Sequence, residues 1–182
     1  MKDIADKFTG KASLRASQKM SPLGMGRRMV NVAPGELYAT AEPVAIATLL
    51  GSCVAVCLWD KELGAGGMTH YLLSEGKSSD DLSPRYGNIA IPVLLEKLLR
   101  LGCHPQRLVA KIFGGGRVLK TLTGKTGQIG ENNIQLAEAM LTTMKIPIVG
   151  RDTGGTWGRK LVFFTKDGSV WVKNIPEGND GH

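Results

Sequence analysis

Between Val44 and Leu73 the chain passes through three short apolar stretches, and the breaks between them constrain the fold more than anything else in it. Val44–Leu50 (VAIATLL) and Val54–Trp59 (VAVCLW) are partly β-branched and too short for ordinary helices. Both read as buried strands. Gly51-Ser52 interrupts the first. The polar turn Asp60-Lys61-Glu62-Leu63-Gly64 then leads into Gly66-Gly67-Met68-Thr69-His70-Tyr71-Leu72-Leu73. Two apolar runs around a short polar turn predict an antiparallel pair.

The rest of the chain continues this alternation. Ser74 to Arg85 is polar and reads as a loop. Ile89 to Leu101 has helical spacing, with Pro92 near its first turn and Gly102 as its stop. Leu108 to Phe113 reads as a strand, and Gly114-Gly115-Gly116 after it as a turn with unusual backbone angles. Glu131 to Lys145 reads as a helix whose apolar face is Ile134, Ala137, Leu141 and Met144, with Glu131 in its first turn and Lys145 in its last. Ile146 to Val149 is a short strand. Lys160–Thr165 and Ser169–Lys173 flank Asp167-Gly168, a hairpin turn. The expected class is α/β or α+β, with two main helices on one face of mixed sheets.

Charge narrows the function. The chain carries 23 Lys+Arg against 16 Asp+Glu, a net charge of +7. Seven basic and two acidic residues fall within 1–30, so residues 31–182 carry 16 basic and 14 acidic groups. The body is nearly neutral and the basic character sits in a leader. A nucleic-acid surface calls for a basic stripe on the folded part and aromatics for stacking, and only 5 % of the residues are aromatic. The expected organisation is a flexible basic tail over 1–29, one domain over 30–176 and a C-terminal tail over 177–182. Ile4, Phe8 and Ala12 suggest a short amphipathic turn in the leader. The leader is expected to assist attraction to acidic partner or membrane surfaces at low salt. There is no apolar run of about 18 residues and no apolar signal region, so neither a membrane span nor secretion is expected. Three cysteines imply no disulfide framework and point to the cytoplasm.

Familiar motifs fail on inspection. Gly124-Lys125-Thr126 resembles the end of a P-loop, but Leu119 stands where that loop needs glycine. Leu119 likewise occupies the third glycine position of a dinucleotide fingerprint begun at Gly114. Cys53 and Cys57 have no second ligand pair for zinc. Cys57 and Cys103 read as structural, and His104 and His182 lack supporting context.

Cys53 is different because Gly51-Ser52 precedes it at a break between strands. Such a turn leaves a sulfur reachable and backbone N–H groups free to hold an oxyanion. If the two strands pair around Asp60–Gly64, His70 reaches the same end of the pair, with Gly66-Gly67 leaving room beside it. An imidazole there can take the thiol proton and return it to a leaving group. Spacing alone leaves a second reading open: a small core cysteine and a satisfied core histidine.

The stretch Thr48–Asp60 (TLLGSCVAVCLWD) with Gly66–Leu73 (GGMTHYLL) resembles the CheD family, chemoreceptor glutamine deamidases of bacterial and archaeal chemotaxis. Further matches are Arg85-Tyr86-Gly87-Asn88 with Ala90-Ile91-Pro92, Lys111–Gly115, Ile129–Asn133, Asp152–Gly155, Gly158-Arg159-Lys160 and Val170–Lys173. The resemblance runs from about Val30 to Ile175. It implies a protein-glutamine glutaminase with Cys53 as nucleophile, His70 as base and Thr48 as the third catalytic member. Ser52, Gly51 and Gly67 would lie near the oxyanion or substrate. It implies no metal and no organic cofactor. The implied partners are the cytoplasmic region of methyl-accepting chemotaxis receptors and a CheC-type phosphatase, with no nucleic acid and no membrane insertion. It also permits a non-catalytic adaptor that docks on either partner. The family is similar in turn to the catalytic domain of cytotoxic necrotizing factor toxins, which implies a layered α/β/β scaffold.

Overall fold

The computed structural model describes residues 28–76, 82–117 and 125–175. The leader through Arg27, part of the loop expected over Ser74–Arg85, Gly124 and the tail from Pro176 lie outside the described residues.

The chain forms β1 (Met29–Asn31), β2 (Leu37–Thr40), β3 (Ala45–Leu50), β4 (Val54–Asp60), β5 (Ala65–Thr69), α1 (Gly87–Arg100), β6 (Leu108–Gly114), α2 (Lys125–Thr143), β7 (Ile148–Thr153), β8 (Gly158–Phe164) and β9 (Val170–Ile175). The strands make a five-stranded sheet, β2-β5-β4-β6-β7, and a four-stranded sheet, β1-β3-β8-β9. Both are mixed: β6–β7 and β1–β3 are parallel, and the other neighbours run antiparallel.

The period-two geometry of β4 places the five-stranded sheet in the middle. Val54, Val56 and Leu58 join Ile91, Leu94 and Leu98 of α1 and Ala137 and Leu141 of α2 in one core. Ala55 and Cys57, on the opposite face, join Ile46, Leu50, Leu161 and Phe163 of the smaller sheet in a second core. The layers are therefore helices, large sheet, small sheet, and both helices lie on one face as expected. Leu94 and Leu98 are wholly buried, and each such side chain contributes at most about 1.5–3 kcal/mol.

Some boundaries differ from those read in the sequence. Helix α1 starts at Gly87, because the Gly87 and Asn88 N–H groups donate to the Leu73 and Ser74 carbonyls. Pro92 thus sits inside the helix, beyond its first turn. Its end is as expected: Gly102 has φ 93°, and its N–H and that of Cys103 close onto the Leu99 and Leu98 carbonyls. Helix α2 starts at Lys125, so Glu131 lies in its interior, while Lys145 lies past its end with φ 57°. Gly130 looks like a breaker in the sequence, yet a Cβ there would strike the Gly115 carbonyl. Strand β7 begins at Ile148 and runs on through polar Arg151 and Asp152. β2, a short edge strand beside β5, carries no strong apolar signal.

Candidate active site

Strands β3 and β4 are consecutive in the chain but belong to different sheets. Gly51-Ser52-Cys53 carries the chain between them. All three of its carbonyls are held: Gly51 O accepts from Gly116 N–H at 2.8 Å, Cys53 O from Gly115 N–H at 2.8 Å, and Ser52 O from Asn133 Nδ2 at 3.2 Å. The glycine run exists for this approach. Gly114 and Gly115 have φ 101° and 69°, and a Cβ on Gly114 would collide with the Cys53 carbonyl. Among the described residues no backbone acceptor takes the Ser52 N–H or the Cys53 N–H. Cys53 is half-buried and packs against the core between the sheets.

His70 does not lie within a strand, as its apolar neighbours suggest, but follows immediately after β5. Its backbone is fixed from both sides, its N–H donating to Glu36 O at 2.9 Å and its carbonyl accepting from Gly35 N–H at 2.7 Å. Val54 and Tyr71 face each other through two hydrogen bonds of 3.1 Å. The same register sets Ala55 opposite His70, so Cys53 is the diagonal neighbour of His70 on one face.

Thr48 and Cys53 are an odd number of residues apart, which in one strand would separate their side chains. The crossing between sheets removes that objection. Thr48 shares the inward face of β3 with Ile46 and Leu50. Its Oγ1 lies 2.7 Å from the Val32 carbonyl and 2.8 Å from His70 Nδ1. A carbonyl only accepts, so the hydroxyl hydrogen goes to Val32. Oγ1 must then accept from Nδ1–H. This assigns the proton to Nδ1 and leaves Nε2 with a bare lone pair, and Nε2 is buried with no partner among the described residues.

Electrostatics favour neutral groups at rest. Burial pushes the His70 pKa below 6.5, opposed by the Val32 carbonyl and the Glu36 charge. Burial raises the Cys53 thiol, opposed by its own backbone N–H. Both shifts favour a neutral thiol and a neutral imidazole near pH 7. Cys57 is fully buried with its thiol pushed far above the usual range. Burial and the Asp60 charge push Cys103 up to about 11, with Arg107 opposing.

Of the three residues expected near the oxyanion or substrate, one lies elsewhere. Gly51 and Ser52 form the turn beside Cys53. Gly67 does not lie beside them: a Cβ there would meet the Tyr38 carbonyl and Leu94 Cδ1, so it faces β2 and helix α1. Met68 and His70 alternate to the other face. Gly67 is bare because the helix packs there. A groove of about 270 Å³, lined in part by Gly115, Arg117, Glu131 and Gly155, adjoins the floor of the turn. The larger cleft lined by Glu42, Leu63 and Lys166 is at the opposite end of β4.

Asn133 carried no role in the sequence reading beyond its place in a matched stretch. It is completely buried, and its Nδ2 also donates to Leu72 O at 2.8 Å. Its position one helical turn before Ala137 would have marked it as a polar residue on the apolar face of α2.

The family model described as "CheD chemotactic sensory transduction" matches residues 72–174. That segment begins just past His70 and includes the glycine floor and Asn133. A probable chemoreceptor glutamine deamidase CheD 1 of Anaeromyxobacter dehalogenans is 43% identical over 169 residues, 92% of this chain and 98% of the relative. Its counterpart in Trichlorobacter lovleyi is 44% identical over 137 residues, 75% and 84% of the two chains. That of Sulfurimonas denitrificans is 42% identical over 141 residues, 77% and 90%. With a family match over more than half its length and relatives this similar along nearly their whole length, the chain belongs to the CheD family.

Proposed function

We propose that this protein hydrolyses glutamine side chains of chemotaxis receptors to glutamate through a thioester on Cys53. The relatives' names supply the substrate class. One observation supports the mechanism: Thr48 holds the Nδ1–H of His70, which leaves a bare Nε2, unpartnered among the described residues, on the face that Cys53 shares.

Nε2 takes the thiol proton as sulfur attacks the side-chain amide carbon. The new oxyanion is held by N–H groups of the Gly51–Cys53 turn, where one donor is worth about 10²–10³ in rate. The imidazolium then gives its Nε2 proton to the leaving nitrogen, ammonia departs and the thioester remains. Water enters, Nε2 takes its proton, and the hydroxide attacks the acyl carbon. The second tetrahedral intermediate expels the sulfur, which recovers the proton, and glutamate is released. The product carboxylate is available for methylation, so the activity sets receptor gain. A CheC-type phosphatase is the further partner, carried by the family resemblance alone.

The test incubates a receptor cytoplasmic fragment with wild type, Cys53→Ala and His70→Ala and follows glutamine conversion by mass spectrometry. Wild type is expected to convert specific glutamines and both variants to be inactive. Equal conversion by C53A refutes the thiol mechanism. Binding without conversion by wild type replaces the enzyme with an adaptor.

A further inference from the structure

We infer that Asn133 of helix α2 is a positioning residue for the Cys53/His70 pair. This inference rests on the proposed thiol mechanism. The Asn133 side chain is completely buried at the junction of two segments. Its Nδ2 donates to Ser52 O, one residue before the nucleophile, at 3.2 Å, and to Leu72 O, two residues past the base, at 2.8 Å. Both amide hydrogens are therefore used as a fork across the seam on which catalysis depends. Its own backbone carbonyl accepts from Tyr71 Oη at 2.6 Å, so the residue between His70 and Leu72 is tied to the same point of α2.

The amide oxygen shows what the fork is for. Asn133 Oδ1 is buried without a partner among the described residues, which costs the desolvation of an unpaired acceptor. An apolar residue would avoid that cost but would free the two carbonyls. The register contact between Val54 and Tyr71 aligns the two segments along the sheet, but the Gly51–Cys53 turn lies beyond the end of β4. Asn133, with Gly115 and Gly116, fixes the turn where strand pairing has stopped. Of these three, only Asn133 also holds the segment that follows His70. A group that sets the separation of nucleophile and base acts on kcat, because an error near 1 Å costs about 100-fold.

The experiment compares wild type, Asn133→Ala, Tyr71→Phe and Cys53→Ala on the receptor fragment, well below each variant's unfolding temperature. N133A is expected to lower kcat at least about 10-fold with KM within about twofold. The acid limb of its kcat profile is expected to move toward 6.5, because a loosened seam admits water to His70. Folded N133A with kcat and pH profile unchanged overturns the inference. If N133A does not fold, Y71F decides, since it keeps the ring and removes only the bond to Asn133. A kcat loss of about threefold at constant KM supports the tie, and unchanged kcat overturns it. Activity in C53A would instead defeat the thiol mechanism itself, so the two failures are distinguishable.

Discussion

Replacing Thr48 by valine removes one oxygen and keeps the branched shape. The hydroxyl serves two partners, Val32 O at 2.7 Å and His70 Nδ1 at 2.8 Å. Without it, each can turn to the other, because the Val32 carbonyl already lies 3.4 Å from Nδ1. To make an ordinary hydrogen bond of about 2.9 Å the ring must shift by about 0.5 Å. The tautomer survives and the aim of Nε2 does not. With about 100-fold lost per 1 Å of misplacement, half that shift predicts a kcat near one tenth of wild type, or about 1.4 kcal/mol. The stability loss is about 1 kcal/mol, since the two orphaned groups re-pair. Thr48→Ser keeps the hydroxyl and is expected to stay within about threefold of wild type. The assay is ammonia release from a receptor fragment at saturating substrate, with His70 ring-nitrogen shifts by NMR reporting the tautomer. T48V with kcat within twofold of wild type, or T48S as slow as T48V, refutes the assignment of Thr48.

Other predictions concern protons and packing. Alkylation of the free protein is expected at Cys53 first, with a rate that keeps rising toward and above pH 9 because burial raises this thiol, while Cys57 and Cys103 label only on unfolding; labelling of Cys57 at the same rate contradicts it. His70 has a folded pKa below its unfolded 6.5, so its contribution to stability is full above 6.5 and is lost as pH falls toward the folded value; urea unfolding should show that slope in wild type and not in His70→Gln. The buried Asp60 carboxylate accepts from the N–H groups of Glu62, Leu63 and His104 and from Arg107, and although burial alone would raise its pKa, these donors hold it below the usual value. Asp60→Ala should cost about 3 kcal/mol in urea unfolding without changing kcat of the folded enzyme. Gly67→Ala, clashing with Leu94 and the Tyr38 carbonyl, should cost about 1–3 kcal/mol in stability, and a selective loss of kcat would return Gly67 to the site.

The parts legible in the sequence were those set by local pattern. The two runs around Asp60–Gly64 fixed the β4–β5 pair, and with it the nearness of Cys53 and His70. Gly102 and Asp167-Gly168 ended elements as their backbone chemistry requires. What escaped depends on contacts between distant segments. Nothing near Gly67 says which face of β5 the helix covers. Gly130 and Gly150 look like breakers until their neighbours are known: Gly130 lies against Gly115, and Gly150 against the Lys111 stem. The Gly114–Gly116 run reads as a turn with unusual backbone angles, as Gly114 and Gly115 bear out, but its use as the floor of the Cys53 turn needs the tertiary fold. Thr48 came from resemblance, and its geometry makes sense only once β3 and β4 are seen to lie in different sheets.

The proposed thioester on Cys53, formed with His70 as base, can be trapped during turnover. The most direct measurement is rapid acid quench of enzyme turning over a receptor fragment, followed by peptide mass mapping of the enzyme. A substrate adduct is expected, confined to the peptide carrying Cys53, labile to hydroxylamine and absent from C53A. Turnover by C53A at the wild-type rate, or an adduct on any other residue, would contradict it.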